Sequence, residues 1–230
     1  MNKKIAIIMC MWKRLEKLEE FTLKGLQSQT EKDFTLYIWN NNPDNVDGIA
    51  KILNMYKDLD INVVHSPKNI GGFGRFEMAK LVADKHDIII MIDDDQKFNN
   101  KMVEIFVDEY DNNALKSRWT WRFGGNTYTH RGRIEDGGKS VHYCGTGGLV
   151  APSWIFKTPE VFQIPQQFLF VEDLWLSYVC DAILGIELIS IKDSGFIGQV
   201  VDGKDQFGSL ISTKNEFMKY LTGTLNWKLK

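Results

Sequence analysis

The feature that most constrains this chain is a regular alternation over its first 110 residues. Short apolar runs (Ile5 to Met9, Thr35 to Trp39, Ile61 to Val64 and Ile88 to Ile92) are separated by longer segments with apolar residues at helical spacing. Leu15, Leu18, Thr22 and Leu26 share one helical face, and Ile49, Ile52, Leu53 and Tyr56 share another. Phe73 to Ala83 reads as a mostly buried helix. Asn100 to Tyr110 reads as a fourth, with Met102, Ile105 and Phe106 inward. Near-continuous apolar strands between amphipathic helices predict an α/β fold, a parallel sheet covered on both faces. Crossovers in such sheets are right-handed, and ligands bind beyond the carboxyl ends of the strands. The segments that follow the strands are therefore the candidate site: Cys10 to Arg14, Asn40 to Asp44, His65 to Gly74, and Asp93 to Asp95.

The second half has a different character. Between Lys116 and His142 there are six Lys or Arg against two acids, Glu135 and Asp136, interleaved with Trp119, Trp121 and Tyr128. Two readings stand for that stretch: an excursion whose tryptophans pack on the core, or a ligand subsite of stacking rings and anion-holding arginines. His130 and His142 read as hydrogen-bonding rather than metal-ligating residues. Gly145 to Val150 turns into an apolar strand, Glu172-Asp173 opens an apolar helix running to about Leu184, and Ile186 to Ile191 reads as a late strand. Asp193 to Ser212 is glycine-rich loop. The tail from Thr213 reads as helical, with four lysines against one glutamate. Its Phe217, Leu221 and Leu225 lie on one face, suited either to the core or to weak peripheral contact with an acidic membrane surface.

Composition sets the outer limits. At 230 residues, with 43% hydrophobic and 25% charged, the chain has the make-up of a globular protein and not of a disordered one. No linker marks a second domain, so a single domain over 1–230 is expected. The 28 basic residues against 30 acidic give a net charge of −2, which argues against nucleic-acid binding. Cys10, Cys144 and Cys180 form neither a disulfide framework nor a zinc pattern, which fits a reducing, cytoplasmic setting. The apolar run at the amino end is too short for a leader, and no stretch reaches the ~20 residues of a membrane helix.

Asp93-Asp-Asp95 is the strongest chemical signal. Five apolar residues run straight into three carboxylates. Carboxylates that close repel unless a cation sits among them, and Mg²⁺ or Mn²⁺ prefers such oxygen ligands together with substrate phosphates. Spacing of two in extended chain puts Asp93 and Asp95 on one site as metal ligands, with Asp94 pointing away. The bland alternative is a solvated acidic turn. Glu172 and Asp173 read either as acids complementing a helix dipole or as a general base. Gly71, Gly72 and Gly74 do not form a dinucleotide fingerprint, since they follow the third strand and lack its spacing.

Together these pieces resemble the nucleotide-sugar glycosyltransferases of the GT-A fold, family two type, from Lys4 to about Ile191. Ile5 to Arg14 resembles the first strand and nucleotide loop, Gln27-Ser-Gln29 the end of the first helix, and Trp39 to Asp44 the strand-two loop. Asn69 to Arg75 resembles the Asn–x–Gly loop, Asp93 to Asp95 the DxD, Gly145 to Val150 the acceptor-side glycine strand, and Phe170 to Asp173 the Glu-Asp motif. The resemblance implies a three-layer sandwich with a mostly parallel central sheet, residues 1–110 binding nucleotide and 111–230 binding acceptor. It implies inverting transfer from a nucleotide sugar to a hydroxyl of a glycan or glycoconjugate acceptor, with Mn²⁺ or Mg²⁺ as cofactor.

By the same resemblance Asp173 is the base and Glu172 its understudy. Asn69, Asp93 and Asp94 attend the donor. Arg75 either faces the diphosphate or is a surface arginine. Three departures stand out. Asn40, Asn41 and Asn42 replace the strand-two Asp; an amide pairs with both edges of uracil, which points to a UDP-sugar through Asn40 and Asn42. No Arg–Trp acceptor motif follows the Glu-Asp pair. No histidine follows His142, leaving Asp202 or Asp205 as the substitutes for a late metal ligand. A retaining transferase and a non-catalytic nucleotide- or carbohydrate-binding module are the rival readings. A metal-dependent phosphatase is disfavoured, because Cys10-Met-Trp occupies the place of its nucleophilic Asp.

Overall fold

The computed structural model describes residues 3–200 and 208–229. Four apolar runs form the parallel strands expected of them: β1 (Ile5–Met11), β2 (Phe34–Asn40), β3 (Ile61–His65) and β4 (Ile88–Ile92). Short strand β5 (Gln96–Phe98) follows. Then come β6 (Ala114–Ser117), β7 (Thr120–Phe123), β8 (Arg131–Ile134), β9 (Tyr143–Cys144), β10 (Leu149–Pro152), β11 (Glu187–Ser190) and β12 (Ile197–Gln199). The central sheet has seven strands in the order β11-β6-β10-β4-β1-β2-β3. Only β10 runs antiparallel to its neighbours β4 and β6, so the sheet is mostly parallel. Smaller sheets pair β5 with β12 and order β8-β7-β9.

Alternation along β1 builds a core on each face. Ile5, Ile7 and Met9 join the core packed by helix α1 (residues 15–27), α2 (Val46–Leu53) and α4 (Met102–Glu109). Ala6 and Ile8 join the core packed by α3 (Gly74–Val82), α5 (Glu172–Tyr178) and α6 (Ile211–Lys219). The result is the expected three-layer sandwich. Helix α1 carries a wider π turn at Leu18–Leu23, and α5 and α6 each continue into one, Val179–Ile183 and Tyr220–Thr224. Phe217 and Leu221 are fully buried, so the apolar face of the tail belongs to the core and is not offered to a membrane surface. Among the described residues no helix is long and apolar enough to cross a membrane.

Topology places the site. From β3 the chain crosses back over β1 to lay β4 on its other side. The carboxyl ends of β1 and β4 therefore diverge at a switch point, where open α/β sheets hold ligands. Because β10 is antiparallel, with Leu149 beside Met91, the loop entering it arrives at the carboxyl end of β4. Ser117 Oγ donates to Gly145 O at 2.7 Å, and Arg118 N to Gly148 O at 2.8 Å, which fixes that loop to β6.

Candidate active site

A cavity of about 690 Å³ opens at this switch point. A second cavity, of about 680 Å³, lies at the opposite, amino ends of β1 and β2 and gathers none of the expected residues. The acidic turn after β4 forms the floor of the first. Asp93 N donates to Gln96 Oε1 at 2.9 Å, which closes 93–96 into a turn instead of an extended run. Asp94 therefore does not point away: all three aspartates line the cavity. Arg14 Nη1 donates to Asp94 Oδ1 at 3.0 Å and to Asp95 Oδ2 at 2.7 Å. Asp93 pairs with Arg75.

Arg75 is not a surface arginine: it lines the cavity. It is 8% exposed and bridges Asp93 to Glu172 Oε1, the latter at 3.1 Å. Burial opposes its charge, but Asp93 and Glu172 outweigh that and hold the guanidinium ionised. Two glycines make room for this bridge. A Cβ on Gly72 would stand 1.8 Å from Glu172 Oε1, and one on Gly147 would stand 1.8 Å from Asp93 Oδ2. Gln96 Nε2 ties the acidic turn to Gly147 O. Beside them Cys10 is half-buried, and its thiol is pushed up to about 12, mainly by desolvation, so it stays protonated.

The turn's chemistry fits a hard divalent cation. Its side-chain donors are carboxylate oxygens, and Asp93 keeps 36% of its side chain exposed. Burial first, then the neighbouring acids, pushes Asp94 up to about 6, and burial and Asp93 raise Asp95. Three carboxylates share two arginines, Arg14 and Arg75, a surplus that an added cation relieves. The ligands are not preassembled: no group of three or more His, Cys, Asp or Glu side chains among the described residues is placed to hold a metal.

The strand-two loop shifts its expected contact by one residue. Asn40 is fully buried and turned inward, its Nδ2 on Asn42 O at 2.7 Å and His65 Nδ1 at 3.0 Å. Asn42 caps the following turn, accepting from Asp44 N at 3.1 Å. Neither reaches the cavity. Asn41, between them, does, with its Oδ1 accepting from Ile70 N at 3.1 Å and its Nδ2 donating to Gly71 O at 3.0 Å. Asn69 also lines the cavity and accepts from Gly71 N at 2.8 Å, a turn completed by Gly71 at φ +63°.

Asp173 and Glu172 both line the cavity at the start of α5, and their surroundings differ. Asp173 Oδ2 accepts from Tyr143 Oη and from Lys214 Nζ, the latter at 2.8 Å. Its Oδ1 accepts from Leu174 N at 2.9 Å. Lys214, on α6, is 4% exposed and also reaches Tyr143 Oη at 3.2 Å and Tyr128 Oη at 3.4 Å. Burial alone would push Asp173 up, but Lys214 and these hydrogen bonds outweigh it and hold the carboxyl below its ordinary range. Burial raises Glu172, with Arg75 opposing and Asp173 adding.

The remaining wall is the aromatic-basic stretch, which lines the cavity through Trp119, Trp121, Tyr128, Arg131 and Arg133. His142 Nδ1 accepts from Phe123 N at 3.0 Å, a structural role. Asp202 and Asp205 lie outside the described residues. Sequence reasoning offered Asn41 with its two neighbours but settled on Asn40 and Asn42, and it did not single out Gln96, Lys214 or Tyr143 for the site. Gln96 adjoins a flagged motif and was within reach, whereas nothing local marks Lys214, 41 residues from Asp173.

Comparison with known proteins agrees with this architecture. A relative from Haloferax volcanii, a glucosyl-dolichyl phosphate glucuronosyltransferase, is 24% identical over 217 residues, 93% of this chain; the chain spans only 53% of that relative's length. The mannosyltransferase PcManGT of Pyrobaculum calidifontis, solved with GDP-Man and Mn²⁺, superposes with a TM-score of 0.73 at 11% identity, covering 100% of this chain and 66% of its own. TarS of S. aureus, solved with UDP-GlcNAc, gives 0.62 at 14% identity, covering 90% and 61%. The fold is that of the GT-A glycosyltransferases. The pattern of glycosyl transferase family 2 matches residues 6–162, and the chain belongs to that family.

Proposed function

We propose that the chain transfers a sugar from a UDP-sugar to a hydroxyl of a glycan or glycoconjugate acceptor, with inversion and with a divalent cation. The observation that carries this reading is one cavity holding both an acidic turn and a separately ionised carboxylate, Asp173. Residues 1–110 supply the donor half and 111–230 most of the acceptor half. Asn41 and Asn69 stand where a nucleotide would lie beyond β2 and β3. Asp93 and Asp95 would hold Mn²⁺ or Mg²⁺, which when bound neutralises charge developing on the leaving diphosphate. That relatives such as PcManGT carry a nucleotide sugar and Mn²⁺ supports the assignment.

Asp173 takes the proton from the acceptor hydroxyl as its oxygen bonds to the anomeric carbon. The bond from that carbon to the diphosphate oxygen breaks, and UDP leaves with the electron pair. Attack opposite the leaving group inverts the anomeric centre. Lys214 and Tyr143 fix Oδ2 of the base, so the carboxylate is oriented before the acceptor arrives.

Calorimetric titration of UDP, with Mn²⁺ and then with a chelator, tests the reading. Micromolar binding that disappears with the chelator is expected, followed by transfer activity in a screen of UDP-sugars. Absence of UDP binding in both conditions would reject the uridine donor, and a product of retained anomeric configuration would reject inversion.

A further inference from the structure

The acceptor side of the cavity is built by one face of the small sheet. Trp121 on β7 lies opposite Arg133 on β8 and Tyr143 on β9, and Phe123 lies opposite Arg131. Period-two alternation puts Trp121, Arg131, Arg133 and Tyr143 on one face, and all four line the cavity. Each guanidinium lies over a ring: Arg131 is 3.7 Å from the Tyr128 centroid and Arg133 is 4.6 Å from that of Trp119. Arg131 also donates to Tyr128 O at 2.7 Å. Arg133 pairs with Glu135 at 3.1 Å and stands 3.7 Å from Asp193, which Arg118 also binds.

Contacts connect this wall to the base. Tyr143 bonds Asp173 and stacks on Trp121 at 4.9 Å, and Lys214 joins Asp173 to Tyr128, the ring beneath Arg131. An acceptor whose hydroxyl meets Asp173 therefore meets this wall too. A guanidinium stacked on a ring presents its forked donors edge-on, the geometry that grips a carboxylate or a phosphate. A carboxylate or phosphate on this face would meet the forked donors of both guanidiniums with charge-assisted bonds, which the hydroxyls of a neutral sugar do not form. Resting on the functional reading above, we propose that the acceptor bears a carboxylate or phosphate beside its reactive hydroxyl, and that Arg131 and Arg133 bind it.

The test measures binding of methyl glucoside, methyl glucuronide and glucose 6-phosphate to the protein saturated with UDP and Mn²⁺. Ligand-observed NMR serves as the readout, with wild type and the Arg131→Gln/Arg133→Gln pair compared. At least about tenfold tighter binding of one or both anionic sugars is expected, as charge-assisted hydrogen bonds deliver. Which anion is preferred separates carboxylate from phosphate. The preference should shrink with added salt and vanish in the double variant while UDP affinity holds. Equal binding of the neutral sugar, binding of none of the three, or a preference that survives the double variant overturns the proposal. Weakened UDP binding in a variant that unfolds at the wild-type temperature overturns it too, by assigning the arginines to the donor. Arg133→Gln alone, at a side chain 35% exposed, keeps the test available should the pair unfold, and should lower the preference about threefold. If wild type binds no UDP the functional reading falls first; if UDP binds and no anion is preferred, only this inference falls.

Discussion

Glu172 and Asp173 are neighbours in sequence and opposites in chemistry. Burial raises Glu172, whose partner is a guanidinium shared with Asp93. Asp173 is half-buried beside it, yet Lys214, Tyr143 and the Leu174 N–H hold it ionised. Environments that push two adjacent carboxylates apart separate base from support, which is why Asp173 is the base of the proposed reaction. Asp173→Asn should lower kcat by about 10²–10⁴-fold with UDP affinity unchanged. Lys214→Met should act through Asp173. Without the ammonium, burial dominates and the carboxyl pKa rises, so the acid limb of kcat/KM moves to higher pH. The stability window follows the same signs. A carboxyl held low contributes stability above its unfolded pKa and loses it as pH falls through the folded value. Lys214, which burial opposes and Asp173 raises, contributes below its unfolded pKa and loses it as pH rises through its own folded value. The pair is therefore fully effective around neutrality, and breaking it should cost about 3–5 kcal/mol there. A pH–rate profile settles the role: an acid limb that stays in place in Lys214→Met removes Lys214 from the control of the base.

At the scale of elements, most of the central sheet was legible because β1 and β4 are apolar on both faces and the helices between strands on one, whereas β6, Ala114–Ser117, lies in a stretch that read as polar and was missed. Ile88–Ile92 is fully buried, and its sequence reads as nothing but a strand. The small sheet was not legible. Strands β7 to β9 are two to four residues long, and their cavity face is aromatic and basic, so they carry no apolar period. Asn40 was misplaced because β2 runs one residue further than its apolar run, and in a strand one residue changes the face. The acidic turn was read as extended because the residue that closes it, Gln96, lies just beyond the motif. Its geometry also depends on the glycine loop delivered by antiparallel β10. A methyl on Gly147 would overlap Asp93 Oδ2, so Gly147→Ala should push the carboxylate out of place. Overpacking of this kind costs about 1–3 kcal/mol. Affinity for UDP with Mn²⁺ should fall at least about tenfold in that variant, beyond what the stability loss explains. Calorimetry on Gly147→Ala giving the wild-type affinity would show that Asp93 is not needed for the donor.

On the scale of the whole molecule, the site is tied together by pairs that no local pattern announces: Arg14 to Asp95 across 81 residues, Arg75 to Glu172 across 97, and Lys214 to Asp173 across 41. The last of these ties the carboxyl-terminal helix to the proposed base, so that helix is not an appendage. Its Phe217, Met218, Leu221 and following Trp227 are buried against the core. Phe217 stacks on Phe168 at 4.2 Å, Trp227 packs edge-on to Tyr178 at 5.8 Å, and Trp227 Nε1 donates to Asp181 at 2.6 Å. Burying a large apolar side chain contributes roughly 1.5–3 kcal/mol, so these four together are comparable to the entire net stability of about 5–15 kcal/mol expected of a folded domain. A chain ending at residue 207 should therefore lose its cooperative thermal transition, bind hydrophobic dye through the uncovered Phe168, Trp175 and Tyr178, and bind UDP with Mn²⁺ weakly or not at all. The donor contacts proposed for Asn41, Asn69 and Asp93 all precede residue 111, so retention of UDP binding together with a sharp unfolding transition would mean that the sheet and its donor side stand without α6. In that event α6 would serve the acceptor side only, orienting Asp173 through Lys214 without being required for the fold.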